Sequence, residues 1–280
     1  MSIVVGIDVG GSATKIVGLR KRGSDYELMP PQNVKANDPM TAIYGAFGRF
    51  ADENGLDISD VDKVMMTGVG SSHIKNKIYG IDSEWVREFD SIGRGGLYLS
   101  GLDEALVVSM GTGTAVVHAK RGGEMKYLGG TGVGGGTLLG LSKLLLRADT
   151  VEHIVELAEG GDLAAIDLCI KDIAPGGAVG ELGGDLTVSN FGNLSDAADK
   201  GDIASGIMNL VFETVGMVAI FAASSVGVRD IVLTGNLTTL EACRKKFETF
   251  SVKDKYGVNF IIPPHSAYST VIGTALLGVD

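Results

Sequence analysis

Cysteine is nearly missing from this chain: Cys169 and Cys243 are the only two in 280 residues. With no CxxC pair and no cysteine–histidine run, a disulfide framework and a structural zinc site are both excluded as organising principles. The four histidines, His73, His118, His153 and His265, share no metal-ligand spacing and read as structural or solvated. Proline is sparse and there is one tryptophan, Trp85, which reads as packing. Positive charge is short as well, since 24 Lys and Arg against 34 Asp and Glu leave a net charge of −10. That sign argues against nucleic acid, whose phosphates are gripped by clustered Lys and Arg, and against a membrane surface.

Long hydrophobic runs are lacking too. The longest, Val215 to Val228, is interrupted by glycine and serine and reads as too short to span a bilayer. The N-terminal apolar run is broken by Asp8 and glycines and has no charged region before it, unlike a signal peptide. The expectation is a cytoplasmic globular protein. Its 45% hydrophobic and 21% charged residues are enough for one large core, or two smaller ones flanking a cleft.

Glycine is abundant, at 42 residues, in short clusters that follow apolar β-type runs. Such clusters mark tight turns or close approach of backbone to a ligand. Ile3 to Asp8 reads as a buried strand, Val9-Gly10-Gly11-Ser12 turns it, and Ala13 to Leu19 returns. About a hundred residues on, Ala105 to Ser109 leads into Met110-Gly111-Thr112-Gly113, and Thr114 to Val117 returns. A second echo pairs Val61 to Gly68 with Val228 to Gly235, each an apolar strand ending in Thr-Gly. Two echoes in one order indicate an internal duplication. The pattern predicts an α/β fold with a mixed sheet in each half, divided into residues 1–104 and 105–280.

The second half carries an insertion that reads as largely helical. Glycines 134 to 136 open a leucine-rich helix through Arg147. Asp149 and Glu152 resemble a helix-start pair, and Asp162 is expected to cap a helix through Ile173 with Cys169 on its apolar face. Buried helices are expected at Met208 to Ser225 and at Ser266 to Leu277.

Glycine-tipped hairpins let backbone N–H groups point at an anion, and two of them on facing domains can hold a polyphosphate. Asp8, ending the first strand, suits a carboxylate that holds water on Mg²⁺, and Lys15 can neutralise phosphate charge. The run Gly129 to Thr137, ahead of a helix start, offers N–H groups and the positive end of a helix dipole. Neither a GxxxxGK[ST] loop nor a dinucleotide fingerprint is present, since strands follow the glycine turns.

These residues, together with Glu88-Phe89-Asp90, Gly184-Asp185-Leu186-Thr187, Asn190-Phe191-Gly192 and Ala267-Tyr268-Ser269, resemble the type II pantothenate kinases nearly end to end. The resemblance implies duplicated actin-like (ribonuclease H-like) domains within the actin, sugar-kinase and Hsp70-like superfamily, with an ATP cleft between them. It implies MgATP-dependent phosphorylation of pantothenate, the entry to coenzyme A synthesis. It further implies a homodimer joined through the second half, and coenzyme A or its acyl esters as a possible regulator. By position it makes Glu88 the general base and Asp8 the ligand of magnesium through water. ATP would be held by Asp8, Gly10, Gly11, Ser12, Lys15, Gly111, Thr112, Gly113, Gly134, Gly135, Gly136 and Gly235. Pantothenate would be held by Glu88, Thr112, Tyr127, Gly129 and Tyr268. At Tyr127 the family usually has an arginine; tyrosine donates a hydrogen bond without positive charge, and Lys126, Arg94 or Arg121 are candidates to replace it.

Spacing alone also allows Glu88 to be an ion-pair partner of Arg87, and Asp90 to orient a helix start. Two rivals stay open at this point: a superfamily kinase for N-acetylglucosamine or a related sugar, and an ATP-binding regulator without catalysis.

Overall fold

A computed structural model describes residues 2–11, 13–23, 25–35, 38–71, 77–177, 183–252 and 256–279. Ser12 and His73 lie outside the described residues. The first half runs β1 (Ile3–Val9), β2 (Thr14–Arg22), β3 (Asp25–Leu28), β4 (Gln32–Val34), α1 (Pro39–Glu53), β5 (Val61–Thr67), β6 (Ser83–Trp85) and α2 (Glu88–Ser100). The second begins β7 (Glu104–Met110), β8 (Thr114–Lys120), β9 (Met125–Thr131), α3 (Gly135–Leu146) and α4 (Val151–Ala158). It continues β10 (Leu168–Cys169), α5 (Ile170–Ile173), β11 (Thr187–Ser189) and α6 (Lys200–Val226). It closes with β12 (Asp230–Thr234), α7 (Glu241–Val252), β13 (Asn259–Ile261) and α8 (Ser269–Leu276).

The duplication is visible in the sheets. The first has the order β3-β2-β1-β5-β6 with β4 on β2, and the second β13-β12-β7-β8-β9. In each, a glycine-tipped antiparallel hairpin (β1–β2, β7–β8) is joined by a parallel strand, β5 on β1 and β12 on β7. The register matches Asp8 with Thr67 in the first half and Ser109 with Thr234 in the second. Both Thr-Gly echoes end in a left-handed glycine, φ 88° at Gly68 and 93° at Gly235. A methyl there would stand 2.5 Å from the Val9 carbonyl oxygen and 2.4 Å from that of Met110. Glycine is therefore required twice, for conformation and for space.

Each sheet is covered on both faces, and the covering helices are exchanged. One face of the first sheet packs on α1 through Ile3, Ile7, Val64, Phe47 and Phe50; the other receives α8, the last helix, with Val17 and Leu19 against Val271 and Ala275. The second sheet packs on α3, α4, α6 and α7 on one side and on α2 on the other, Ile92 and Leu97 meeting Val107, Val117 and Val232. Helices α2 and α8 then cross each other. A methyl at Gly95 would stand 1.9 Å from the Ser269 carbonyl oxygen, and one at Gly273 1.9 Å from that of Ser91. The two halves are thus joined at a backbone-to-backbone crossing.

Several sequence expectations need correction. Residues 162–173 are not one helix: Asp162 caps a short turn at 163–165 through the Ala164 N–H (2.9 Å), and β10 and α5 follow. The chain leaves the helix because the buried Asp167 carboxylate accepts from the Phe191 N–H (2.8 Å) and from Asn209 (2.6 Å). Cys169 accordingly lies half-buried at the start of α5, not on a helix face. The cap of α4 is Thr150, which accepts from the His153 N–H, rather than Asp149. The run from Val215 belongs to a 27-residue helix, long and apolar enough by length and composition to cross a membrane; here 61% of its apolar window is buried within the protein. Asn190 of the Asp-Leu-Thr-x-x-Asn-Phe-Gly element bridges Asp167 and Glu213, tying the insertion to α6.

Candidate active site

Strand β1 ends where its neighbours present charge. Asp8 lies directly opposite Lys15 in the β1–β2 ladder. Lys15 Nζ donates to the Ala267 carbonyl oxygen and sits 5.7 Å from the Tyr268 ring centroid, so the Ala-Tyr-Ser element before α8 holds the lysine in place. Burial pushes the Asp8 carboxyl up to about 6, against the opposing pull of Lys15, and the Glu88 charge pushes it the same way. Burial likewise lowers Lys15, partly offset by Asp8. Both ions are undersolvated.

Glu88 opens α2 and is half-buried, and burial raises its carboxyl above the usual range. Arg87 does not pair with it. The Arg87 guanidinium is taken bidentately by Asp90, at 2.8 and 2.9 Å, which closes the first turn of the helix. Among the described residues the Glu88 carboxylate makes no hydrogen bond or ion pair. An acceptor-only carboxylate raised by burial is poised to take a proton.

The two hairpin tips approach each other. A methyl on Gly11 would lie 3.8 Å from Thr112 Oγ1, across the crevice between the halves. The long glycine run divides its work: Gly129 to Thr131 are in β9, while Gly135 and Gly136 begin α3. Gly135 N–H donates to the Gly111 carbonyl (2.9 Å) and Gly136 N–H to that of Thr112 (2.8 Å). These two amides were expected to face an anion; they instead lock the helix start onto the second hairpin. Gly134 is pressed there as well, since a methyl on it would come within 2.8 Å of Gly113. Gly235 N–H is held by the Ser266 carbonyl (3.0 Å), beside a buried Thr238–Ser266 hydroxyl pair (2.7 Å).

Tyr127, 46% exposed, lies flat on Phe89 with ring centroids 3.9 Å apart and planes 10° from parallel. The structure therefore brings Tyr127 onto Phe89 in the first turn of α2, the residue that follows Glu88 in the chain. Arg121 is engaged elsewhere, with Asp103 at 2.6 Å and the Leu102 carbonyl. Tyr268 makes its described ring contact with Lys15, on the phosphate-loop side. Phe89 and the Ala267 carbonyl were missed by sequence reasoning. Phe89 sits inside a motif already singled out, whereas nothing local marks a carbonyl that caps a lysine 252 residues away. A separate cavity of about 1370 Å³ lies among α4, α6 and α7, and none of the expected site residues lines it.

Magnesium fits this donor set. Among the described residues no group of three or more acidic, histidine or cysteine side chains is placed to cage a metal alone. Mg²⁺ is commonly held by one or two carboxylates together with substrate phosphates and water. Asp8, raised by burial and by Glu88, is a hard oxygen ligand that a divalent cation would relieve.

The model of the Fumble family matches residues 71–276. The chain belongs to the Fumble family. A relative named "Type II pantothenate kinase", from Staphylococcus haemolyticus, is 27% identical over 284 residues, covering 98% of this chain and 99% of its own. Among solved structures, the activator of the 2-hydroxyisocaproyl-CoA dehydratase from Clostridium difficile with bound ADPNP superposes with a TM-score of 0.69 at 18% identity, covering 98% of this chain and 93% of that one. A ROK family glucokinase from Streptomyces griseus in complex with glucose and AMPPNP gives 0.58 at 14%, covering 98% of each. At those identities the likeness concerns the fold, a two-domain actin-like α/β architecture. The Fumble match spans Glu88, the second hairpin, Tyr127 and α8 up to Leu276, and stops short of the first hairpin.

Proposed function

We propose that this Fumble-family chain is an ATP-dependent kinase that phosphorylates pantothenate at its primary hydroxyl, giving 4'-phosphopantothenate for coenzyme A synthesis. The observation that carries the reading is Glu88: a carboxylate raised by burial, without a hydrogen bond or ion pair among the described residues, close enough to Asp8 to perturb it, at the crevice where the two glycine turns meet. Glu88 accepts the proton of the acceptor hydroxyl while the hydroxyl oxygen bonds to the γ-phosphorus and the bond from that phosphorus to ADP breaks. Phosphoryl transfer asks little covalent chemistry of the protein and much positioning and charge neutralisation. Lys15 neutralises phosphate charge, and the hairpin backbones at Gly10 to Gly11 and Gly111 to Gly113 receive phosphate oxygens. Asp8 would hold Mg²⁺ through water, which supplies the remaining neutralisation. Gly134 to Gly136 act by fixing the second hairpin, and Gly235 by shaping the turn beneath Met110. Thr112, Tyr127, Gly129 and Tyr268 border the acceptor and phosphate sides of the crevice.

The reading includes a division into halves 1–104 and 105–280 that close on the nucleotide about the α2–α8 crossing. It also includes a cytoplasmic homodimer, and inhibition by coenzyme A or acyl esters competing with ATP. Relatives named as type II pantothenate kinases, similar over 84–98% of this chain, favour pantothenate over a sugar acceptor. The test is ADP release with pantothenate against a panel of N-acetylglucosamine and glucose. Pantothenate is expected to give the highest kcat/KM; preferential turnover of a sugar overturns the assignment.

A further inference from the structure

We propose that Phe89 and Tyr127 form one positioning device that aims the Glu88 carboxylate at the acceptor alcohol. The inference rests on the reading of Glu88 as the base and deepens it.

The neighbouring Arg87 is consumed by Asp90, and among the described residues no donor holds the Glu88 carboxylate. Among the described residues its direction is set by the backbone of the first turn of α2 and by what fixes that turn. Phe89 is the adjoining residue and packs on the core formed by Ile92, Val117 and Ala119. Its exposed side is covered by the Tyr127 ring in parallel contact, and stacked or edge-on aromatic pairs hold beyond their area burial.

The covering is built by a break in strand register. Between β8 and β9 the pairs run Thr114 with Thr131, Ala115 with Gly130 and Val116 with Gly129; then Val117 pairs with Tyr127, and Leu128 is left over. A one-residue slip moves side chains to the opposite face, and such bulges serve to re-aim a side chain. Leu128 accordingly packs into the core on the α6 side. Tyr127 shares the face of Val117, toward α2. Without the slip Leu128 would oppose Val117 and Tyr127 would turn away from Phe89. Gly129, at φ 129°, supplies the backbone that the bulge needs. Gly129 is thus part of the same device.

Steady-state kinetics with MgATP and pantothenate, paired with thermal unfolding, test this on Tyr127→Ala, Tyr127→Phe, Phe89→Leu and the double variant Phe89→Leu/Tyr127→Ala. A misplacement near 1 Å costs on the order of 10²-fold in rate, so Tyr127→Ala is expected to lower kcat by roughly ten- to hundredfold. KM for ATP should stay within about twofold, because the phosphate loops are untouched. Tyr127→Phe keeps the ring and should recover most of the lost kcat. The double variant should be no slower than the slower single one, as expected of residues acting as a unit. A kcat for Tyr127→Ala within about twofold of wild type, or losses that multiply in the double variant, would overturn the proposal. Should Phe89→Leu fail to fold, the two Tyr127 variants still decide. Glu88→Gln measured alongside separates the two levels: an inert Glu88→Gln with a normal Tyr127→Ala sinks only the positioning role, whereas an active Glu88→Gln sinks the base itself.

Discussion

Replacing Gly95 by alanine puts the architecture to a test of sign. Gly95 is in the middle of α2, and on helix propensity alone alanine should stabilise it by about 1 kcal/mol. The crossing with α8 predicts the opposite. A methyl at Gly95 would stand 1.9 Å from the Ser269 carbonyl oxygen and 2.7 Å from its carbon. To open the first contact even to 3.0 Å the helices must part by about 1 Å. Both sides of that contact are backbone, so no side chain can swing away, and the cost belongs at the upper end of the overpacking range, about 3 kcal/mol. For a chain of this size that lowers Tm by roughly 6–12 °C. Glu88 is seven residues upstream, about 10 Å along the helix, so the same shift should reach the base and depress kcat. Gly45 in α1 is the control, since a methyl there meets nothing within 4 Å; Gly45→Ala should raise Tm. Thermal unfolding of both variants, with ADP release at 25 °C, reads the difference. A Gly95→Ala protein as stable as Gly45→Ala would refute the close crossing.

Asp8 carries a pH dependence whose sign follows from its shift. Folding raises its carboxyl from 3.8 to about 6, so the folded state binds that proton more tightly, and the associated stability is complete below about pH 4 and lost as pH rises to about 6. Two pKa units correspond to about 3 kcal/mol at most; urea unfolding without nucleotide should show a fall over that window that Asp8→Asn lacks, and parallel curves would remove the burial argument. Burial pushes the Cys243 thiol up to about 12, so Cys243 should resist a thiol reagent in the native protein at pH 8 and react only on unfolding; labelling followed by peptide mapping checks this, and rapid native modification of Cys243 would contradict it.

Much of the fold was legible because its signals are local. The β1–β2 and β7–β8 hairpins appear as strand–glycine–strand patterns, and Thr67-Gly68 and Thr234-Gly235 as matched strand ends, since each needs glycine within a few residues of an apolar run. The helix exchange was not legible. Gly95 and Gly273 look like ordinary weak points in helices, and their meaning depends on backbone 170 or more residues distant. The break at 162–173 was hidden for a related reason: it depends on Asn190, Phe191 and Asn209, distant in sequence, converging on Asp167. At the site, the residue types and their order were readable, but the bulge that turns Tyr127 onto Phe89 depends on pairing register, which alternation in β9 alone does not reveal.

The central claim is that the Glu88 carboxylate removes the acceptor's proton in a crevice that binds nucleotide independently of it. Turnover and nucleotide affinity of Glu88→Gln, measured on the same preparation, address it directly. Pantothenate-dependent ADP release should fall by about 10²–10⁴-fold while the Kd for an ATP analogue stays within about twofold of wild type. Undiminished turnover, or a loss of nucleotide binding equal to the loss of rate, would contradict it.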